Sequence, residues 1–133
     1  MTLNPCPCTS GKKFSECCEP FVTMKDKPKS ARALVRARYT AYALGAGNYR
    51  EFLMRSWHPA TSSKVRITDL TNDNFAWTGL EIVKAETKGD KARVEFKASY
   101  QDAAGEPHLH HEISLFHRIQ GIWLYLDGKV SGS

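Results

Sequence analysis

Residues 92–100 have the sequence ARVEFKASY, in which small or apolar side chains alternate with charged or polar ones. Because successive side chains of an extended strand point to opposite faces, this alternation predicts a β-strand with one buried face. The turn residues around Gly89 precede this stretch and predict a hairpin. Three turns of this kind separate four predicted strands, at about 80–87, 92–100, 108–119 and 122–126. The second half of the chain is therefore predicted to be an antiparallel β-meander.

The first half of the chain has helical spacing instead. Ser30 is placed to cap a first helix, whose apolar residues form one broad arc. Arg36 and Thr40 fall outside this arc and are expected to project away from it. The two predicted helices lie at about 31–44 and 48–58, with mostly irregular structure expected at 60–76. Helices followed by an antiparallel sheet predict an α+β fold.

A pocket is predicted between the first helix and the sheet. Arg38 lies inside the apolar arc, where its permanent charge needs a carboxylate, carbonyl groups or an anionic ligand. Both faces of the third strand mix polar with apolar residues, which indicates polar groups on the concave side of the sheet. The candidate pocket residues are Arg38, Tyr42, Trp57, Glu112 and Ser114. Glu112 is a candidate partner for Arg38, either in a structural ion pair or as a base beside a bound ligand.

All four cysteines lie within the first eighteen residues, as a C-x-C pair followed by two adjacent cysteines. Disulfides are the competing explanation, but a reducing compartment and the strain of bridging neighbours disfavour them. Four thiolates on one short loop match tetrahedral zinc, and a closed set of four sulfurs indicates a structural role. The predicted ligands of one Zn²⁺ are Cys6, Cys8, Cys17 and Cys18.

The turn between the cysteine pairs contains Gly11, which tolerates the positive φ that a tight turn requires. A segment this short has almost no core, so metal binding would supply its folding energy. We therefore expect the remainder of the chain to form a separate body with its own core.

The cysteine segment resembles a known motif. Residues 4–18, NPCPCTSGKKFSECC, are similar to the SEC-C zinc motif. This resemblance implies that the same four cysteines bind the metal, and that the module serves protein interaction.

A second resemblance covers essentially the whole chain. The order and spacing of RARYTAY at 36–42, WHP at 57–59, HE-x-S-x-F at 111–116 and G-x-W-x-Y-x-DG at 121–128 resemble the bacterial YchJ-like family. The resemblance implies a nuclear-transport-factor-2-like (cystatin-like) cone, in which a curved antiparallel sheet wraps around helices and leaves a cavity. The implied organisation is a SEC-C motif at 1–22, a linker at 23–29 and the cone domain at 30–133.

The net charge of +5 is concentrated near the start of the chain. Residues 1–55 contain ten Lys or Arg and four Asp or Glu. An ordinary solvated basic face is one explanation, and an anionic partner is the other. Lys12 and Lys13 are the candidate interaction surface, for an acidic protein or for ribosome or RNA contact. They are also placed to balance the net negative charge of a four-thiolate zinc site.

The start of the chain has neither the basic lead nor the apolar core of a secretion signal. No stretch approaches the roughly 18 apolar residues of a membrane span. We therefore expect a cytoplasmic protein.

Catalytic signatures are weak. His108, His110 and His111 are expected to be surface or turn residues, and Trp77 and Trp123 to fill the core. Neither a phosphate loop nor a Ser-His-Asp order is present. The sequence thus predicts a zinc-binding protein with an interaction finger and a cone that is a scaffold or pocket. The alternative is a small-molecule-binding protein or enzyme that uses the cavity around Arg38 and Glu112.

Overall fold

The computed structural model describes residues 5–44, 49–59 and 76–130. A short 3-10 helix, Phe14–Glu16, is followed by the helices α1 (Glu19–Val22), α2 (Ala31–Ala43) and α3 (Arg50–Arg55). The strands that follow are β1 (Ala76–Lys88), β2 (Lys91–Gln101), β3 (Pro107–Ile119) and β4 (Ile122–Val130). None of the described helices is long and apolar enough to cross a membrane. The predicted order of helices and then strands is confirmed.

The four strands form one antiparallel sheet in the order β1-β2-β3-β4, as the meander predicts. Alternation along β2 buries Ala92, Val94 and Ala98 on the face that packs against the helices. Phe116 of β3 and Trp123 of β4 are buried on the same face. This concave face forms the main core together with α2.

Helix α2 begins as the sequence predicts. The Ser30 side chain accepts a hydrogen bond from the backbone N–H of Ala33 at 3.1 Å, which satisfies one of the free donors of the first turn. Two predictions lie outside the described residues: the end of α2 at the glycines after Leu44 and the cap of the second helix at Asn48. Of the irregular structure expected at 60–76, residues 60–75 also lie outside them, and Ala76 is the first residue of β1.

Helix α3 is shorter than the sequence predicts, because it ends at Arg55 and the chain then pairs with the edge of β4. The backbone N–H of Tyr125 donates to the carbonyl of Ser56 at 2.8 Å, and the N–H of His58 donates to the carbonyl of Tyr125 at 2.7 Å. This pairing holds α3 and Trp57 against the concave side of the sheet.

The cysteine segment packs into the main core. Cys8, Phe14 and Val22 belong to the same cluster of buried side chains as Leu34 of α2 and Leu80 of β1. The expectation of a separate body with its own core is therefore wrong. Burial against the amphipathic helix supplies the apolar contacts that so short a segment cannot make by itself.

Candidate functional site

The four cysteine sulfurs form one compact cluster. All four Sγ atoms lie within 4.8 Å of one another, with 3.5 Å between Cys8 and Cys17 and 3.8 Å between Cys17 and Cys18. A tetrahedral site with Zn–S distances of about 2.3 Å places its sulfurs about 3.8 Å apart. All four cysteines are free thiols, and Cys6, Cys8 and Cys18 are buried. The predicted ligands are thus brought together at the spacing that a metal ion requires.

The loop between the cysteine pairs is a tight turn that folds the ligands inward. The N–H of Cys6 donates to the carbonyl of Lys12 at 2.8 Å, and Gly11 has the predicted positive φ of 89°. Thr9 also has a positive φ, 61°, which a β-branched residue rarely adopts. Its hydroxyl donates to the carbonyl of Leu80 at 2.8 Å, so contact with β1 offsets this strain.

The protonation of the thiols is mutually dependent. Hydrogen bonds with Cys18 and Cys6 hold the pKa of Cys8 far below its usual range. Hydrogen bonds with Cys6 and Cys8, together with burial, raise the pKa of Cys18. Four thiols this close cannot all ionise unless a cation neutralises them. A divalent metal supplies that charge, which is why the cluster fits a metal ion.

Two residues of α2 that the sequence placed away from the core contact the cluster. Thr40 is fully buried, with its Oγ1 3.7 Å from the Sγ of Cys6. Arg36 Nη1 donates to the carbonyl of Cys8 at 3.0 Å and lies 3.9 Å from its sulfur. Both side chains lie outside the apolar arc, as expected, but they contact the cysteine segment, which covers this side of the helix. Because residues four positions apart lie on the same face of a helix, the spacing of Arg36 and Thr40 indicates a second, polar face on which another segment can pack.

Lys12 and Lys13 are both exposed. Arg36 lies against the cluster, and its single positive charge would offset only part of the net charge of −2 that four thiolates and one divalent metal ion carry. The role of the two lysines as a surface for acidic protein, ribosome or RNA stays a prediction.

A cavity of about 260 Å³ lies between α2 and the concave face of the sheet, and all five predicted pocket residues line it. Most of the aromatic side chains that line the cavity are not among the predicted pocket residues, because they come from separate strands and from α2. The further lining side chains include Tyr39, Trp77, Phe96, His110, Phe116 and Tyr125. Trp123 fills the core as expected, but Trp77 lines the cavity instead.

Arg38 and Glu112 line the same cavity but do not form the predicted ion pair. Arg38 Nη1 donates to the carbonyl of Leu53 at 2.8 Å and to Ser56 Oγ at 2.7 Å. The Leu53 carbonyl lies in the last turn of α3, where backbone N–H donors run out. It accepts instead from Arg38 and, at 3.2 Å, from the Ser56 hydroxyl. Burial lowers the pKa of Arg38, and Tyr42, Tyr125 and Glu112 partly offset this.

The Arg38 guanidinium lies over two aromatic rings. Its central carbon is 4.9 Å from the ring centroid of Trp57 and 4.8 Å from that of Tyr125. The two rings are themselves packed edge to face, with centroids 5.2 Å apart. Cation–π contact thus holds the charge in place at one wall of the cavity.

Glu112 is held by three donors. His110 Nε2 lies 2.7 Å from Oε1, while Ser114 Oγ and the Tyr125 hydroxyl donate to Oε2 at 2.5 and 3.2 Å. Burial opposes ionisation of Glu112, but the hydrogen bonds from His110 and Ser114 outweigh it and keep its pKa below the usual range. A carboxylate so well satisfied is a poor base, which disfavours the catalytic role considered for Glu112.

Glu112 is expected to contribute stability that is lost in acid. Because its folded-state pKa is depressed, the contribution is present above the ordinary glutamate pKa of about 4.3 and disappears as pH falls through the folded-state value. Glu112→Gln should therefore cost about 1–3 kcal/mol at pH 7 and progressively less below pH 4. Urea unfolding at each pH measures this difference, with the exposed Glu106→Gln as control. A difference that does not change with pH would contradict the assignment.

The three clustered histidines have different environments. His108 lies 2.8 Å from Asp102 at a turn, and His111 lies 2.7 Å from Glu95, while His110 lines the cavity. The expectation of surface or turn residues is wrong for His110, because its position on β3 faces inward. Within the described ranges, the cysteines form the only group of three or more metal-ligating residues with ligand atoms close together.

Comparison with known proteins agrees with both parts of this architecture. The family model described as "YchJ, middle NTF2-like domain" matches residues 30–128, and the model of the SEC-C motif matches residues 4–20. The chain belongs to the YchJ family. A UPF0225 protein of Deinococcus radiodurans is 44% identical over 94% of this chain and 88% of its own length. A second, from Streptomyces coelicolor, is 36% identical over 97% and 98% of the two chains.

The fold of this YchJ family member is also shared with a solved structure. A SEC-C motif containing protein from Rhodopseudomonas palustris, determined in solution, superposes with a TM-score of 0.87. The two sequences are 27% identical, and the superposition covers 96% of this chain and 98% of the other. The resemblances inferred from sequence, to the SEC-C motif and to the YchJ-like cone, are therefore confirmed.

Proposed function

We propose that this chain is a small-molecule-binding protein whose fold is stabilised by one structural zinc ion. The observation that carries the binding function is the cavity, where a buried arginine and a half-buried carboxylate are held in fixed positions within an aromatic wall. A concave apolar site with a few placed polar groups is the usual form of a ligand pocket.

Zinc is the metal that best suits the cysteine cluster. Four thiolate ligands in a tetrahedron are typical of structural zinc, and they leave no coordination position for a substrate. The four thiolates and Zn²⁺ together carry a net charge of −2, which Arg36 partly offsets from 3.9 Å. Free thiols held for a metal suit a reducing compartment, in keeping with a cytoplasmic protein.

Binding is favoured over catalysis by the state of the polar groups in the cavity. Glu112 already accepts hydrogen bonds from its neighbours, and one of these donors is the Ser114 hydroxyl. Since Ser114 donates to a carboxylate that is not basic, it is not activated as a nucleophile. These groups can recognise a ligand without transferring a proton to it.

The proposed function is tested by a thermal-shift screen of a chemically diverse set of small molecules against the zinc-loaded protein. Ala98 is buried at the cavity wall, so Ala98→Leu is expected to fill part of the space. A compound at a hundred times its Kd stabilises the folded state by about 2.7 kcal/mol. We expect shifts in Tm for the natural chain that are lost in Ala98→Leu. Equal shifts in both proteins, or none in either, would refute binding in this cavity.

A further inference from the structure

The aromatic walls of the cavity favour a flat ligand. Tyr39 packs edge to face against Trp77 with ring centroids 5.9 Å apart, and Trp77 also contacts Tyr100 at 5.0 Å. Trp57 and Tyr125 form the corresponding pair beside Arg38. Side chains that hold one another in this way keep their shape, and an aromatic ring complements them through edge-to-face or offset contacts.

The two charged groups of the cavity, Arg38 and Glu112, differ in how well neighbouring protein groups stabilise their charges. Arg38 is 7% exposed, and its hydrogen-bond acceptors, the Leu53 carbonyl and Ser56 Oγ, are both neutral. No carboxylate of the described residues lies within ion-pair distance of it; the charge of Glu112 favours its ionisation from farther away, but that carboxylate is held by His110, Ser114 and Tyr125. Burial disfavours its charged form and lowers its pKa. A buried cation without an anionic contact is the group that an anionic ligand would stabilise most.

The charge of Glu112, in contrast, is stabilised by hydrogen bonds from within the protein. Three side chains donate to its two oxygens, and the carboxylate is ionised at neutral pH. Its negative charge would repel a second anionic group on a ligand at that end of the cavity. These charges therefore favour a ligand that has one carboxylate, placed at Arg38, and is otherwise uncharged.

Resting on the proposed binding function, we propose that the cavity binds small aromatic monocarboxylates. The carboxylate pairs with Arg38, and the ring lies against the aromatic wall that includes Trp57 and Trp77. The guanidinium is suited to this role because its planar array of donors matches a carboxylate.

Three probes of the same shape and different charge test this ligand class on the zinc-loaded full chain: benzoate, benzamide and benzamidine. Titrations are followed by tryptophan fluorescence, since Trp57 and Trp77 line the cavity. We expect benzoate to bind about tenfold or more tightly than neutral benzamide, and cationic benzamidine to bind most weakly. This comparison needs no variant. Equal affinities for the three probes, or preference for benzamidine, would overturn the proposal.

A matched pair of variants on α2 assigns the effect to Arg38. Arg38→Met keeps much of the side-chain length without the charge, and should weaken benzoate binding about tenfold, to the level of benzamide. Arg32→Met removes an exposed arginine of the same helix and should leave all three affinities unchanged. Retained circular dichroism shows that each variant is folded, and unchanged benzoate affinity in folded Arg38→Met would refute the assignment.

The outcomes separate this proposal from the binding function on which it rests. If other compounds from the diverse set bind in the cavity but benzoate does not, the ligand class is wrong and the binding function stands. If no compound binds, both fail.

Discussion

Cys18→Ser is expected to lower the Tm of the whole chain by about 10 °C or more, and not only to unfold the cysteine segment. Cys18 is 1% exposed and belongs to the same buried cluster as Leu34 of α2. Loss of one thiolate removes the closed four-sulfur site, and metal binding of this kind is coupled directly to folding. A loss of about 3 kcal/mol or more follows, which corresponds to the stated change in Tm for a chain of this size.

The measurement is calorimetric unfolding of the zinc-loaded chain, compared with Ser15→Ala, an exposed position in the same segment. That control should unfold within a few degrees of the natural chain, since exposed substitutions rarely exceed about 0.5 kcal/mol. A chelator should destabilise the natural chain and Ser15→Ala but have little further effect on Cys18→Ser. An unchanged Tm of the sheet in Cys18→Ser would show that finger and cone fold independently.

Gly128→Ala is expected to cost about 2–4 kcal/mol, because the new methyl group would occupy the place of the Glu112 carboxylate. An ideal Cβ at Gly128 clashes with Glu112 Oε2 and lies 2.6 Å from the Tyr125 hydroxyl oxygen. Glu112 must then leave its position, and its hydrogen bond from Ser114 is lost. The substitution thus tests the buried network without changing any of its members.

Gly79→Ala is the matched control, since a Cβ at Gly79 in β1 meets no atom within 4 Å. It should change the free energy of unfolding by less than about 1 kcal/mol, measured by urea titration at pH 7. In Gly128→Ala, the acid dependence attributed to Glu112 should also diminish. If the two glycine variants are equally stable, the close packing of Glu112 against β4 is incorrect.

The features that the sequence predicts well are local or periodic. Alternation from Ala92 to Tyr100 predicts the strand and its buried face, and Ser30 predicts the start of α2, because both depend on neighbouring residues. The cysteine ligands follow from residue chemistry and spacing alone. Arg38 is predictable as a buried charge, since its position in the helical arc requires burial.

The features that the sequence does not predict depend on how distant elements meet. From sequence alone, Thr40 and Arg36 are polar residues on the side of α2 away from the apolar arc, and only the tertiary structure shows that the cysteine segment covers them. From sequence, Glu112 is a candidate partner for Arg38 because the two side chains have opposite charges. Arg38 instead donates to the Leu53 carbonyl and to Ser56 Oγ at the end of α3, whose position depends on pairing with β4. Such contacts require knowledge of tertiary packing.

Helix α2 connects the two proposed sites. Its residue Thr40 contacts the cysteine cluster, and Arg38, two positions earlier, lines the cavity. A metal ion bound by the cysteines would therefore also fix a helix that forms one wall of the cavity, and its structural role would extend beyond the cysteine segment.

The most direct test of this account is X-ray absorption at the zinc edge, made on reduced protein purified without added metal. The account predicts one zinc ion per chain, surrounded by four sulfur atoms at about 2.3 Å. Absence of metal, or a coordination shell that contains nitrogen or oxygen in place of a cysteine sulfur, would contradict it.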